Sequence, residues 1–254
     1  MKRWIMLAAL LVLVAAPGAV LAQADVAALT AAARQGDPAA QKQLGVLYAS
    51  GEGVVQDYAA ARRWWSMAAG QEDAGARYNL GVMYESGLGV TVDPAAAARW
   101  YALAAGQGDA TARFRLGLLY ESGRGVPKDD AQAFNLYRQA AAQGLADAQN
   151  SLGRMYEMGH GQRQNIAEAR RWYKASAEQG YVLAQSNYGF QLYAGSKEPQ
   201  ERIEAYAWLS LAAAAGNAIA IAHHAELSRQ LTPTQITAGE ARARVLRGQI
   251  AGRK

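Results

Sequence analysis

The sequence predicts an all-α solenoid of five 36-residue helix-pair repeats, with capping helices at both ends. Composition and periodicity lead there. Alanine is abundant, only six prolines are present, and β-branched residues are thinly scattered, a balance that favours long helices over strands. Shifting the sequence against itself by thirty-six positions aligns five registers without insertion or deletion. A stacked array of such units absorbs all 254 residues without requiring a domain boundary.

The aligned columns define each unit. Leu44-Gly45, Leu80-Gly81, Leu116-Gly117, Leu152-Gly153 and Tyr188-Gly189 share one pair of positions, followed by Tyr48, Tyr84, Tyr120, Tyr156 and Leu192. Next come Gly51, Gly87, Gly123, Gly159 and Gly195, and two residues later Gly53, Gly89, Gly125 and Gly161. Asp57, Asp93, Asp129, Asn165 and Glu201 then precede Ala61, Ala97, Ala133, Ala169 and Ala205. Trp64, Trp100, Leu136, Trp172 and Trp208 follow, beside Trp65, Tyr101, Tyr137, Tyr173 and Leu209.

In the first half of the unit, Ala40, Leu44 and Tyr48 recur at a spacing of four and mark the buried stripe of a helix A. Gly45 sits at the edge of that stripe, where another element can approach closely. The Gly-x-Gly stops helix A, because glycine accepts the left-handed conformation common at helix C-termini. Asp57 and its counterparts start helix B as N-caps. Ala61, Trp64 or Trp65, and Ala68 face inward. One unit buries too few large side chains to fold alone, so units must stack.

The array ends in caps. Residues 25–34 stand one period before 61–70 and read as a lone B-type helix. Residues 218–230 make a further A helix, and Thr232-Pro233-Thr234-Gln235 opens a terminal, arginine-rich helix reaching about Ile250. Two positions depart from the pattern: Lys197 replaces the second turn glycine in copy five, with Pro199 added, and Glu72 replaces the inter-repeat glycine in copy two, reading as drift at an exposed turn, with a local notch recognised by a partner as the alternative.

Met1-Lys2-Arg3, an apolar run from Ile5 to Ala16, Pro17-Gly18 and Val20-Leu21-Ala22-Gln23-Ala24 follow the order of a secretory signal peptide, with cleavage after Ala22 or Ala24. The run is shorter than the roughly 20 residues a bilayer span requires. The expected organisation is a signal peptide at 1–22, a repeat array at 23–217, and capping helices with a short basic tail at 218–254. The expected destination is the bacterial periplasm or beyond, with no membrane span after processing.

Net charge is +5, of which Lys2 and Arg3 supply two, and the basic residues are dispersed except at the C-terminal tail. A nucleic-acid partner is therefore not expected. The absence of cysteine excludes disulfides, thiolate metal sites and cysteine nucleophiles. His160 occupies a solvated turn, and His223 and His224 are neighbours pointing about 100° apart on a helix, poor geometry for a metal. Gly123-x-Gly125-Val126-Pro127-Lys128 has the wrong spacing for a phosphate loop. No catalytic residue, cofactor site or metal site is predicted.

The columns resemble the Sel-one-like repeat (SLR) family, a relative of the tetratricopeptide repeat. Leu116-Gly117-x-x-Tyr120-x-x-Gly123-x-Gly125-Val126, followed by Ala133-x-x-Leu136-Tyr137-x-x-Ala140-Ala141-x-x-Gly144, reads almost as the family pattern, and the likeness covers residues 32–216. The resemblance implies a right-handed α/α superhelix whose A helices line a concave side, serving as an adaptor in signalling, secretion or envelope assembly. Some members carry paired cysteines and are linked to β-lactam binding, a variant that a cysteine-free chain does not match.

Roughly opposite the core stripe of helix A run two columns of mixed type: Lys42, Tyr78, Phe114, Asn150 and Ser186, and Val46, Val82, Leu118, Arg154 and Phe190. Fixed columns serve packing, whereas variable ones are free to adapt to a partner. Tyr78, Val82, Phe114, Leu118, Arg154 and Phe190 are the candidate protein-binding residues, rimmed by Glu85, Glu121 and Glu157; packing between successive A helices is the competing use. The expected function is that of a non-enzymatic, monomeric scaffold for a protein partner such as a membrane sensor or an envelope assembly component. The alternative is a protein that binds or hydrolyses cell-wall glycan or a β-lactam.

Overall fold

The computed structural model describes residues 23–253, which form thirteen α-helices and no strand among the described residues. The predicted signal peptide lies outside the described residues. The remainder divides into two compact units, one ending at Lys128 and the other beginning at Asp129.

The first unit holds α1 (Gln23–Arg34) and the pairs α2 (Pro38–Ser50) with α3 (Tyr58–Gly70), and α4 (Ala74–Ser86) with α5 (Pro94–Gly106), followed by α6 (Ala110–Ser122). Aspartate starts every helix after α1. Asp37 accepts hydrogen bonds from the Ala39 and Ala40 amides, and Asp57, Asp73, Asp93 and Asp109 each accept one from the amide three residues on. Such caps satisfy backbone donors that the helix itself leaves unpaired. Gly51, Gly87 and Gly123 end the A helices at φ between 68 and 77°, as the Gly-x-Gly pattern predicts. Glu72 adopts φ 67°, so the inter-repeat turn keeps its left-handed geometry without glycine, and the side chain points outward within 3.7 Å of Arg77.

The core is set by Leu44, Trp65, Leu80, Tyr101 and Leu116, all buried, together with a column absent from the sequence stripe: Leu47, Met83 and Leu119. Of the adjacent aromatics on helix B, Trp65 and Tyr101 turn inward, while Trp64 and Trp100 stay half-buried. A second tie joins successive helices. Gln41, Arg77 and Arg113 each donate a side-chain N–H to the carbonyl eight residues earlier, on Ala33, Ala69 and Ala105. These carbonyls lie in the last turns of α1, α3 and α5, where each also accepts a backbone N–H from three residues on.

The second unit contains α7 (Asp130–Ala142), α8 (Ala146–Met158), α9 (Ile166–Ala177), α10 (Val182–Gly195), α11 (Pro199–Ala214), α12 (Ala218–Ser228) and α13 (Pro233–Ala251). Gln149 and Gln185 repeat the carbonyl tie, to Ala141 and Ala177. The fifth B helix begins earlier than its column predicts. Its N-cap is Glu198 and Pro199 occupies the first helical position, so Glu201 lies in the first turn and is not the cap. Proline's fixed φ suits that first position, and without the second glycine α10 runs through Gly195 to an extended Ser196. α13 carries the predicted capping box of Thr232 and Gln235. It packs across α11, where Arg242 makes two hydrogen bonds to Glu204, at 2.7 and 3.1 Å.

Candidate functional site

The first unit places Tyr78 and Val82 on α4, and Phe114 and Leu118 on α6. Val82 is buried and supports the face from below, so it is not a contact residue as expected from sequence. Tyr78, Phe114 and Leu118 are half-buried. The Tyr78 ring lies 5.7 Å from that of Tyr101, whose hydroxyl donates to Glu85 Oε2 at 2.8 Å. Arg115 of α6 lies beside Tyr78, Tyr101 and Glu85. Burial opposes its charge, yet Tyr78, Tyr101 and Glu85 together raise its pKa, so the guanidinium stays cationic. Arg124 approaches Glu85 at 3.7 Å from the following turn. Burial, reinforced by Glu85, pushes the Tyr101 phenol far above its ordinary range and keeps it a proton donor.

The second unit uses its column residues differently. Asn150 is buried and accepts a hydrogen bond from Asn187 at 3.0 Å, Ser186 is also buried, and the Phe190 ring lies 4.5 Å from His223 of α12. Arg154 is half-buried on α8, and its charge lowers the pKa of Tyr173 against the larger upward effects of burial and Glu157. In the first unit Lys42 pairs with Asp73 at 3.3 Å. Of these columns, Val82, Asn150 and Ser186 are buried in packing, while Lys42, Tyr78, Phe114, Leu118, Arg154 and Phe190 are half-buried.

Two of the glutamates expected as a rim, Glu85 and Glu157, are anchors. Glu157 accepts from the Tyr173 hydroxyl at 2.5 Å and from Gln191, repeating the bond between Glu85 and Tyr101. A sequence signal for this existed: Tyr101, Tyr137 and Tyr173 each follow a glutamate by sixteen residues, whereas Trp65 and Leu209 follow Ala49 and Tyr193. Trp65, lacking that carboxylate, donates to the Lys42 carbonyl at 3.1 Å. Arg115 was missed because its column carries no fixed type.

Such a face has the chemistry of recognition. It offers phenol and guanidinium donors, a carboxylate and aromatic edges, held in place by mutual contacts. Among the described residues no cluster of three or more His, Asp or Glu could hold a metal ion, and no helix is long and apolar enough to cross a membrane. His160 is exposed, His223 stacks on Phe190, and the His224 ring lies 4.4 Å from Tyr206, its pKa lowered by burial.

Comparison with known proteins agrees with this architecture. The Sel1 repeat model matches residues 38–73, 74–109, 110–145, 146–181 and 182–217. The chain is similar to a protective antigen of uropathogenic Escherichia coli strains that displays an SLR fold, at 33% identity and a TM-score of 0.78, over 87% of this chain and 49% of the antigen. It thus spans about half of that antigen's length. A Sel1 repeat protein from Oxalobacter formigenes aligns at 32% identity and a TM-score of 0.70, covering 75% of this chain and 79% of the other. No functionally curated protein matches. With five consecutive copies covering most of its length, the chain belongs to the Sel1 repeat family, an all-α solenoid of a kind generally used for protein–protein interaction.

Proposed function

We propose that this protein is an exported scaffold or regulatory adaptor that holds a segment of another protein against the A-helix face around Tyr78 and Phe114. The supporting observation is the Tyr78, Tyr101, Glu85 and Arg115 network. Tyrosine and arginine are the side chains that most often dominate binding energy at interfaces, and here the ring contact of Tyr78 with Tyr101 and the hydrogen bond from Tyr101 to Glu85 hold this surface in place before any partner arrives. Preorganisation of that kind lowers the entropy lost on association.

A Tyr78→Ala/Phe114→Ala variant is expected to bind its partner at least about tenfold more weakly, since each hot-spot side chain is typically worth more than 1 kcal/mol. In-cell crosslinking with affinity capture, compared between variant and wild type at equal far-ultraviolet helicity, measures this. Undiminished capture by the variant would remove this face from the function.

Export is the second part of the proposal, and the basic, apolar and small-residue order of residues 1–24 supports it. Mass spectrometry of the protein recovered from a bacterial periplasmic extract is expected to give a chain beginning at Gln23 or Asp25. An unprocessed chain confined to the cytoplasm would contradict export.

A further inference from the structure

The repeat grammar contains one polar device that the fifth copy breaks. Gln71, Gln107, Gln143 and Gln179 follow the small pair that closes helix B, and the next position in this column is Ala215. At Gln71, Gln107 and Gln179 the amide joins successive repeats. Gln71 Nε2 donates to Gln41 Oε1 at 2.9 Å, and Gln107 Nε2 donates to the Glu72 carbonyl. Gln179 Nε2 makes both kinds of bond, to Gln149 Oε1 at 2.8 Å and to the Gly144 carbonyl at 2.9 Å.

One period on from Gln149 and Gly144 stand Gln185 and Gly180. Ala215 keeps the backbone of its column, with φ −85° and ψ 6° against −86° and 3° at Gln107, but its side chain ends at Cβ. Gln185 is only 5% exposed, and its Nε2 is committed to the Ala177 carbonyl, which turns Oε1 the other way. Among the described residues no donor reaches Gln185 Oε1 or the Gly180 carbonyl. A groove of about 370 Å³ lies at this point, lined by Gly180, Gln185 and Ala215 and by Arg247 of α13. Val182, Leu211 and Ile250 supply apolar lining. Arg247 has no carboxylate partner among the described residues.

We propose that this groove is a recognition slot for the primary carboxamide of a glutamine side chain presented by a partner protein, next to an aliphatic neighbour. The proposal deepens the scaffold reading and places a second contact of the same partner class in the second unit. The chemistry selects the group. The equivalent acceptors one repeat earlier, Gln149 Oε1 and the Gly144 carbonyl, share one amide nitrogen, so this pair calls for an NH₂ with two donors, and the guanidinium in the same lining calls for an acceptor on the same planar group. A carboxylate would set its oxygens against Gln185 Oε1 and the Gly180 carbonyl. An ammonium would face Arg247. The apolar walls take the glutamine methylenes and one adjoining aliphatic side chain.

The test uses the full chain, isotopically labelled and titrated with acetyl-Leu-Gln-methylamide and with its Glu and norleucine counterparts. The glutamine peptide is expected to shift the Gln185 side-chain amide and Arg247 Nε resonances, and to bind at least about fivefold more tightly than either counterpart, because a site built for hydrogen bonds rejects ligands lacking them. Equal or tighter binding of the Glu peptide would reveal an anion site at Arg247, and equal binding of the norleucine peptide a merely apolar groove; either overturns the proposal. Ala215→Gln is expected to abolish the peptide shifts and to raise Tm by about 3 °C over the isosteric Ala215→Met, since only the former restores the paired bonds. Equal Tm values for the two variants would show that the acceptors do not converge, and would also overturn it. These signals are read within the second unit, so they stand or fall separately from partner capture through Tyr78 and Phe114.

Discussion

Gly125→Ala is expected to destabilise the first unit by about 3 kcal/mol, through strain and collision acting together. Gly125 sits at φ 72°, where a side chain costs roughly 1–2 kcal/mol. A Cβ there would also lie 2.5 Å from the Pro94 carbonyl oxygen and closer still to the Pro94 and Ala95 backbone. Those atoms belong to the first turn of α5, held by the Asp93 cap, and cannot yield as a flexible side chain would. Gly108→Ala supplies the control, since φ is 98° but nothing lies within 4 Å of the added carbon, leaving a loss of about 1 kcal/mol from backbone strain alone. Urea denaturation followed by circular dichroism separates the two, and equal losses would refute the contact between the turn and α5. The same arrangement recurs in the second unit, where a Cβ on Gly161 would lie 2.6 Å from the Asp130 carbonyl carbon.

That contact shows how much of the architecture is legible in the sequence and where legibility ends. Helix order, aspartate caps and left-handed glycine stops follow from local chemistry, which repeats with the residues and so appears as fixed columns. The second turn glycine was legible as a conserved type but not as a contact, because the helix it touches lies thirty-one residues earlier and periodicity alone carries no distance. The stripe through Ala40, Leu44 and Tyr48 was likewise incomplete. It describes a helix with one neighbour, whereas α2 packs against both α1 and α3, and burial therefore extends to Leu47. The start of α11 was misplaced because column alignment assumed a constant turn, and Pro199 imposed its own. At the candidate site the columns were found, but their division between packing and display depended on partners such as Asn187 for Asn150 and His223 for Phe190. Those partners come from helices of different repeats, at spacings no helical period predicts.

The sequence also leaves open which of two adjacent tryptophans faces the core, and replacing each by alanine should give very different losses. Trp65→Ala is expected to cost about 4 kcal/mol, the range for deleting a large aromatic from a packed interior. Trp65 is 1% exposed, its Nε1 donates to the Lys42 carbonyl, and its ring lies against Gly45 so closely that a Cβ there would overlap it. Removing it would therefore leave a cavity between α2 and α3 and lose the indole hydrogen bond. Trp64 lies about 100° around the helix and is half-buried against the cluster of Ala33, Leu44 and Leu47. Trp64→Ala should cost about 1–2 kcal/mol, partly offset by alanine's better helix propensity. The fifth copy supplies an internal contrast. α13 covers α11, so Trp208, in the Trp64 column, is as buried as Leu209 in the Trp65 column. Trp208→Ala should therefore lose about as much as Trp65→Ala, although it stands in the outward column. A larger loss at Trp64 than at Trp65, measured by denaturant midpoints at unchanged slope, would mean that the helix B register is rotated from the one described, and the pairing of Tyr101 with Glu85 in the same register would fall with it.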